Sequence, residues 1–512
     1  MHRNIVIGPP GTGKTTYLKN KVDAIIKEGK THPKQIGYFS FTVKAAEEIR
    51  NRVTNEEWSE AELKKMFPYF CTLHSLAYKR LRLESHEIMD ELDYMELSDM
   101  TGRKFVNKMK KGNGIDISMP TAQSHYQDVI NLAYAKYPND KDRLQKVFRE
   151  VKLPDYGARS TIMQMDKDLT NFKRDRHKLE YVDYFNSFLE MKNPPSLKYL
   201  FIDEAQDLSA HQWMVVDMIQ EISKPIETYI AGDDDQAIYR WAGADVEHFI
   251  NLKGNNTYLK QSYRVPRKVH DIALGVVKRI GNRKEKVWEP KEEEGTVSHH
   301  TSFEHVDISK GDWLFLARNN YLLNAVEEHL KVNGRVYLKG NKPSVSETLI
   351  NAIRDWENLR KGKSIEAGRI RKIYNYMKVD RGVKRGYKTL KTVQDDMLLN
   401  LVQLKEDHGL LVDSIWHECF DLIGNTQREY VISCLRHGEK LMSSQIRLNT
   451  IHAAKGGECE NVVLLTDLAT KTWDELYKNP DNECRAFYVG VTRTKNNLHL
   501  VRGKTRKEFL FV

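Results

Sequence analysis

The residue pattern with the clearest chemistry is the stretch GPPGTGKTT at residues 8–16. Its glycines let the backbone curl so that N–H groups face phosphate oxygens, while Lys14 can reach the terminal phosphates and Thr15 can ligate a magnesium ion. The preceding residues Asn4 to Ile7, which are mostly apolar, predict a buried strand, and the following residues predict a helix. A strand, a glycine loop and a helix N-terminus in this order indicate a site for a nucleoside triphosphate rather than a simple turn.

A second pattern, LKYLFIDEAQD at residues 197–207, places two acids directly after an apolar strand. Ligands of parallel α/β sheets bind at the carboxyl ends of the strands, so these acids are expected beside the glycine loop. Asp203 would hold Mg²⁺, and Glu204 could take a proton from a water that attacks the γ-phosphate. A solvated acidic turn is the alternative interpretation.

Six further segments occur in a recognisable order along the chain. They are YFSFTVKAAEEIRNRV (38–53), CTLHSLAYKRLR (71–82), AGDDDQAIYRWAGAD (231–245), LKQSYRVP (259–266), IRLNTIHAAKGGECENVVLL (446–465) and RAFYVGVTRTKNNLHL (485–500). With them the sequence resembles the UvrD/Rep/PcrA-like helicases of superfamily 1. The resemblance implies an α/β fold with two RecA-like parallel-sheet motor domains, each with a mainly helical insertion. It also implies an ATP-dependent DNA helicase that uses ATP and Mg²⁺ and moves 3′ to 5′ on single-stranded DNA, in replication, repair or recombination.

The resemblance assigns a role to individual residues of the nucleotide site. Gln236 would sense the γ-phosphate, Tyr263 would stack on adenine and Glu458 would contact the ribose. Arginines that reach the γ-phosphate from the second motor domain would restrict hydrolysis to a closed cleft. The candidate catalytic residues are Lys14, Asp203, Glu204, Gln236, Arg264 and Arg493. The candidate nucleotide contacts are Gly8, Pro9, Pro10, Gly11, Thr12, Gly13, Lys14, Thr15, Thr16, Tyr263 and Glu458, with Thr15 and Asp203 as metal ligands.

The same resemblance indicates residues that would contact DNA. Aromatic side chains would stack on the bases of a single strand, and polar side chains would lie near its phosphates. The aromatic candidates are Phe41, Tyr239 and Trp241, and the polar candidates are Thr42, Thr72, His74 and His452. Satisfied core groups are the alternative for the His and Thr candidates, and plain core packing is the alternative for Trp241.

The motif positions predict how the elements are distributed. The first motor domain would comprise residues 1–78 and 178–250, with a helical insertion at 79–177. The second would comprise residues 251–360 and 444–512, with a shortened basic insertion at 361–443. The 512 residues are about three times a typical domain of roughly 150, which leaves ample apolar core for this arrangement.

Composition limits the class of protein. With 40% hydrophobic and 30% charged residues and a mean hydropathy of −0.61, the chain is typical of soluble globular proteins and unlike collagen-like or disordered ones. No apolar run of membrane-spanning length and no signal peptide is visible, so we expect a cytoplasmic location. The cysteines are scattered without any CxxC pair, which predicts buried thiols rather than disulfides or a zinc site.

Positive charge is concentrated in one segment. The formal net charge is +10, and residues 360–391 alone contain twelve Lys/Arg against Glu366 and Asp380. Tyr374, Tyr376 and Tyr387 are interleaved with these cations, which suits contact with nucleic acid at a single/double-strand junction, although a solvated helical face is the alternative. A smaller basic patch lies at residues 103–111.

Some features leave the function open. The glutamine motif that reads adenine in the family has no counterpart before residue 8, so base selectivity is undetermined. Ala242 stands where the family often has a DNA-contacting arginine, and residues 457–459 depart from the usual pattern, which predicts weaker contacts. An ATP-switched DNA-binding module without unwinding, and an RNA helicase, remain the alternative functions.

Overall fold

The computed structural model describes residues 2–52, 58–107, 125–151, 153, 157–391 and 393–512. Backbone contacts divide the chain into two compact units. The first comprises Met1–Thr296, Lys471–Asn496 and Phe511–Val512, and the second comprises Val297–Thr470 and Asn497–Leu510. The four-part division expected from the motifs stays a prediction, and its boundaries differ from these, since residues 251–296 and 471–496, expected in the second motor domain, belong to the first unit.

Strands and helices alternate through most of the described chain. The strands are β1 His2–Ile7, β2 Ile36–Phe39, β3 Phe70–Cys71, β4 Tyr199–Ile202, β5 Glu227–Gly232, β6 Asn255–Tyr258, β7 Thr296–His300, β8 Trp313–Ala317, β9 Leu338–Lys339, β10 Lys342–Pro343, β11 Ile365–Glu366, β12 Leu398–Leu399, β13 Ile446–Thr450, β14 Cys459–Leu465 and β15 Thr494–Val501. The helices are α1 Lys14–Lys27, α2 Val43–Arg52, α3 Glu60–Met66, α4 Leu73–Leu81, α5 Glu91–Thr101, α6 His125–Lys136, α7 Arg143–Glu150, α8 Ala158–Arg176, α9 Tyr181–Met191, α10 Ala210–Ser223, α11 Val246–Ile250, α12 Arg267–Val277, α13 Asn324–Val332, α14 Glu347–Arg360, α15 Ala367–Tyr374, α16 Leu401–Glu406, α17 Trp416–Cys419, α18 Asn425–Arg436, α19 Thr470–Lys478 and α20 Pro480–Val491.

The first unit is built on a parallel sheet. Among the described residues it has six strands in the order β3-β2-β4-β5-β1-β6, and every neighbouring pair is parallel. Its inner strands are apolar on both faces: in β4, Tyr199 and Phe201 pack into one core cluster while Leu200 and Ile202 pack into another. Burial on both faces is typical of a parallel sheet covered by helices. The carboxyl ends of β1, β2, β3, β4 and β5 therefore meet at one edge, where the motif residues follow.

The described part of residues 79–177 is helical and has its own core. Helices α5, α6, α7 and α8 contribute a cluster of buried side chains that includes Leu97, Ile130, Phe148 and Ile162. Helix α5 begins at a capping box, in which the Asp90 carboxylate accepts hydrogen bonds from the first turn. The predicted basic patch at 103–111 lies outside the described residues from residue 108 onward.

The second unit also contains a sheet with parallel strands at its centre. Its described strands run in the order β10-β9-β13-β8-β14-β15-β7, and β8 pairs in parallel with both β13 and β14. Helices α14 and α15 pack on each other, and their buried residues Trp356 and Ile370 share one core cluster with Phe315 of β8. The α/β fold class predicted from the sequence is confirmed.

Two composition-based expectations can be compared with the structure. All five cysteines are described, and all are buried free thiols, as predicted. Within the described ranges, no helix has both the length and the apolarity that a membrane span requires.

Candidate nucleotide and DNA site

The glycine loop joins β1 to α1 in a conformation that depends on glycine. Gly11 and Gly13 have φ values of +72° and +77°, in the left-handed region that glycine adopts without a steric penalty. Gly13 is also the N-cap of α1 and brings no side chain to cap it, and the first turn carries no acid. The N–H groups at this helix end therefore face a space suited to an anion. The buried Lys14 donates from Nζ to the carbonyl of Gly8, at 2.6 Å.

The expected metal ligands lie side by side. Thr15 Oγ1 donates to Asp203 Oδ2 at 2.9 Å, and the hydroxyl of Tyr38, from β2, donates to the same oxygen at 2.9 Å. Burial, and next the charge of Glu204, raise the pKa of Asp203 above its ordinary value. An ionised carboxylate here is costly unless a cation accompanies it, so a hydroxyl and a carboxylate oxygen at this distance fit a Mg²⁺ ion.

A glutamine outside the predicted set connects the acid pair to the next strand. Gln206 donates from Nε2 to Glu204 Oε2 at 2.6 Å, and its Oε1 accepts from the N–H of Asp233 at 2.9 Å. Glu204 itself has a positive φ of 52°. A Cβ at Gly232 would lie 2.6 Å from Gln206 Oε1, so glycine at the end of β5 allows this bridge.

The proposed γ-phosphate sensor is held on both sides of its amide. Gln236 Nε2 donates to Asp233 Oδ2 at 2.8 Å, and Gln236 Oε1 accepts from Arg493 Nη2 at 3.0 Å. Arg493 is almost fully buried and also donates from Nε to the carbonyl of Val489 in α20. Arg264 and Arg493, which the resemblance places on the second motor domain, both belong to the first unit in the structure.

Three consecutive acids precede Gln236 and form a buried ion cluster. Asp233, Asp234 and Asp235 surround the ammonium of Lys286, whose Nζ lies 3.1, 2.5 and 2.9 Å from their respective oxygens. Arg283 makes a two-bond contact with Asp235, at 2.8 and 2.6 Å. These cations allow the acids to stay buried.

The YR motif packs directly on the glycine loop. Ser262 Oγ donates to the carbonyl of Pro10 at 2.8 Å, and the N–H of Tyr263 donates to the carbonyl of Gly11 at 2.9 Å. The Tyr263 side chain is 76% exposed, which leaves its ring accessible for stacking on a base. These contacts place Tyr263 and the backbone of Arg264 beside the phosphate loop.

The aromatic candidates for DNA contact lie close together: Tyr239 and Trp241 follow β5, and Phe41 follows β2. Phe41 stacks on Tyr239, with ring centroids 5.3 Å apart, and Tyr239 meets Trp241 edge-on at 6.5 Å. Tyr239 is buried, whereas Phe41 and Trp241 are half-buried. Trp241 lines a cavity of about 200 Å³ that is also lined by Phe41 and His74, and a second one of about 700 Å³ that is also lined by Lys136.

The polar candidates have structural partners. Thr72 caps α4, since its Oγ1 accepts from the N–H of Ser75 at 3.1 Å, and Thr42 Oγ1 accepts from the N–H of Ala45 at 3.2 Å. His74 packs against the rings of Tyr181 and Phe185. These contacts agree with the alternative of local structural roles, and the assignment to DNA stays a prediction.

Glu458 and His452 belong to the second unit, where Glu458 is exposed and His452 is buried. The basic segment also lies there. Its tyrosines differ: Tyr374 is fully buried, Tyr376 stacks on Phe420, and only Tyr387, at 41% exposure, is accessible for stacking. Base stacking, which the sequence suggested for the tyrosines interleaved with these cations, is therefore excluded for Tyr374, because α15 turns that side chain into the core.

Several residues that contact the motif acids were not predicted from sequence. Tyr38, Gln206, Arg283 and Lys286 contact the motif acids and lie outside the glycine loop. Gln206 could have been noticed because it stands within the acid motif. No local pattern distinguishes Lys286, since its partners lie about fifty positions earlier in the chain.

The sheet, the glycine loop and the acid pair define a P-loop nucleotide-binding protein of the α/β class. The sequence profile of the UvrD/REP helicase N-terminal domain matches residues 2–257, and that of the UvrD-like helicase C-terminal domain matches residues 429–504. The chain belongs to the UvrD/REP helicase family.

Curated relatives include proteins named ATP-dependent DNA helicase PcrA from Staphylococcus epidermidis and from Staphylococcus aureus. Each is 24% identical to this chain over 302 residues, a match that covers 56% of this chain and 39% of the relative. The chain therefore spans well under two thirds of the length of the relatives that it matches.

Proposed function

We propose that the chain is an ATP-dependent DNA helicase that moves 3′ to 5′ on single-stranded DNA and separates duplexes. The observation that carries this proposal is the continuity of residues 233–241. This segment begins with Asp233 and Gln236 in the nucleotide pocket and ends with Tyr239 and Trp241 in the aromatic cluster. A change at the γ-phosphate can therefore be transmitted to the base-stacking side chains along one segment of nine residues.

ATP would be bound by the N–H groups of the glycine loop and by Lys14, with Thr15 and Asp203 as the ligands of Mg²⁺. When bound, Mg²⁺ neutralises charge on the β- and γ-phosphates. Glu204 would accept a proton from the attacking water, and its hydrogen bond with Gln206 at 2.6 Å keeps its carboxylate oriented. Tyr263 would stack on adenine, and Glu458 would contact the ribose.

Arg264 and Arg493 would stabilise the charge that develops on the transferred phosphoryl group. Arg493 already contacts Gln236 at 3.0 Å, so the amide that senses the phosphate and the guanidinium that stabilises it would respond together. ATP binding and hydrolysis would thus alternate two states of the motor, in line with the family's two motor domains.

Single-stranded DNA would pass over the aromatic cluster, with bases stacking on Phe41 and Trp241. Stacking tolerates any sequence and contributes about 1–3 kcal/mol per base, which is weak enough for stepwise release. The basic segment at residues 360–391 would bind the duplex side of a junction through its exposed cations, which include Arg381, Lys384 and Arg385.

The test is the rate of ATP hydrolysis with and without single-stranded DNA, followed by strand displacement on duplexes with 3′ or 5′ tails. We expect stimulation by DNA and displacement from the 3′ tail. Equal rates with and without DNA would reject the motor. Stimulated hydrolysis without displacement would support the ATP-switched binding module, and stronger stimulation by RNA would support an RNA helicase.

A further inference from the structure

Asp233 connects the buried cluster around Lys286 to Gln236, the proposed γ-phosphate sensor. Asp233 accepts from Gln236 Nε2 on one side and pairs with Lys286 at 3.1 Å on the other. Burial raises the pKa of Asp233, but the charges of Lys286 and Lys14 outweigh that effect, so the net pKa lies below its ordinary value. Asp233 is therefore an anion that both lysines stabilise.

The amide orientation of Gln236 follows from the chemistry of its two neighbours. A carboxylate can only accept hydrogen bonds, and a guanidinium can only donate them. With Nε2 toward Asp233 and Oε1 toward Arg493, both contacts are favourable. A flipped amide would place oxygen against carboxylate and N–H against guanidinium, so the flip is excluded as long as Asp233 stays charged and in place.

Lys286 is a cation that pairs with Asp233, whose Oδ1 also accepts from the N–H of Asp235 at 3.3 Å. Its side chain is buried and has all three acids within 3.1 Å, so it fixes them as a rigid group. We propose that Lys286 is a positioning residue for ATP hydrolysis, which acts through Asp233 to hold the Gln236 amide toward Arg493. This inference rests on the proposed function, in which Gln236 acts on the γ-phosphate.

Arg283 provides a matched comparison. It is also a cation of the same acidic cluster, but it pairs with Asp235, whereas the acid that accepts from Gln236 is Asp233. Losing Arg283 should destabilise the cluster, as losing Lys286 does, without releasing Asp233. The two substitutions therefore separate a general structural effect from positioning.

The experiment compares Lys286→Met with Arg283→Met in melting temperature and in ATP hydrolysis with saturating single-stranded DNA. Both variants should melt at a lower temperature. Below that temperature, Lys286→Met should lower kcat by about tenfold or more with KM for ATP changed less than about threefold, and Arg283→Met should change kcat less than about threefold. Lys286→Arg should recover part of kcat, because a cation again faces Asp233.

Two further sets of variants test whether Lys286 acts through Gln236. If Lys286→Met does not fold, the charge-balanced pair Lys286→Met with Asp234→Asn replaces it, and Asp234→Asn alone is its control. In a Gln236→Ala background, Lys286→Met should change kcat by less than about twofold, because the lysine acts through that glutamine. A full additional loss of kcat in that background, or equal losses in Lys286→Met and Arg283→Met, overturns the proposal.

The failure of this inference can be distinguished from a failure of the proposed function. If Gln236→Ala lowers kcat while Lys286→Met does not, the assignment of Lys286 is wrong and the motor proposal stands. If Gln236→Ala hydrolyses ATP like the unmodified chain, the role proposed for Gln236 is wrong, and that of Lys286 with it.

Discussion

The nucleotide pocket and the basic segment were both predicted from sequence, but their charges are organised differently. In the pocket, each of these charged groups has specific partners. Asp203 accepts hydrogen bonds from Thr15 and Tyr38, and Lys286 forms ion pairs with three acids. In the basic segment, most cations point to solvent. A sequence motif predicts which side chains contact each other, whereas a count of charged residues predicts only the net charge of a segment.

The segment's cations divide into structural and exposed ones. Arg371 donates to the carbonyls of Thr389 and Leu390, and Arg369 pairs with Asp355. By contrast Arg381, Lys384 and Arg385 are exposed, and the ion pairs of Arg381 and Arg385 are long, at 4.0 and 3.4 Å. Long, exposed pairs contribute little to stability, so these cations are available to a polyanion.

The largest effect on ATP turnover is expected from the loss of Lys14 in the nucleotide pocket. Lys14→Ala should lower ATP turnover by about 10²–10³-fold, because the ammonium opposite the phosphates is removed, while DNA retention should change little. The matched control is Lys19→Ala, further along α1, where the lysine pairs with Asp23. Steady-state hydrolysis and filter binding measure both properties. If Lys14→Ala hydrolysed ATP as fast as Lys19→Ala, the assignment of Lys14 to the nucleotide site would be wrong.

A smaller effect is expected from the hydroxyl of Tyr38. Tyr38→Phe should raise the Mg²⁺ concentration for half-maximal ATP hydrolysis by about tenfold, because outer partners orient metal-binding carboxylates. The same variant should need more Mg²⁺ for thermal stabilisation by ADP, a readout that does not require turnover.

Tyr229→Phe is the matched control for Tyr38→Phe. Tyr38 and Tyr229 both stack on Phe201 in the same sheet, and the Tyr229 hydroxyl donates to Glu227 rather than to Asp203. Identical Mg²⁺ dependence in the two variants would show that the hydrogen bond to Asp203 does not tune the metal site.

The contrast between the two regions explains what the sequence could predict. The glycine loop and the acid pair are local patterns attached to strand ends, so parallel pairing alone brings Thr15 to Asp203. Tyr38 and Lys286 were not predicted, because their contacts depend on how separate segments pack. Gln206 stands within the acid motif, but its contact with Asp233 also depends on such packing. The burial of Tyr374 could have been predicted, because it shares the buried face of α15 with Ala367, Ile370 and Ile373 at helical spacing, whereas Tyr387 lies outside the helices.

For the DNA-contact candidates, the sequence did not predict which side chains are buried or have local hydrogen-bond partners. Phe41, Tyr239 and Trp241 form one cluster, and Tyr239 is buried within it with Phe41 stacked on its ring. Thr72 was assigned to the phosphate backbone, whereas its position as the N-cap of α4 gives it a local partner. An N-cap threonine and a phosphate-binding threonine look alike in sequence, because both precede a helix.

The smallest effect is expected in the basic segment, where each charge acts separately. Replacing Arg381, Lys384 and Arg385 by alanine should weaken binding to a tailed duplex and reduce the slope of log affinity against log salt by about 1 for each phosphate that the replaced cations neutralise. ATP hydrolysis stimulated by single-stranded DNA should stay within about twofold of that of the unmodified chain, because none of the three lies in the nucleotide pocket.

Lys310, Lys331 and Lys342 supply the control, since they are exposed in the same unit but lie outside the basic segment. Their replacement by alanine removes the same net charge. If binding depended on total charge, both triple variants would flatten the salt dependence equally, and the segment would be an ordinary solvated surface. A flatter slope only in the Arg381, Lys384 and Arg385 variant would show that position as well as charge matters, because phosphates at a junction contact only cations within a few ångströms.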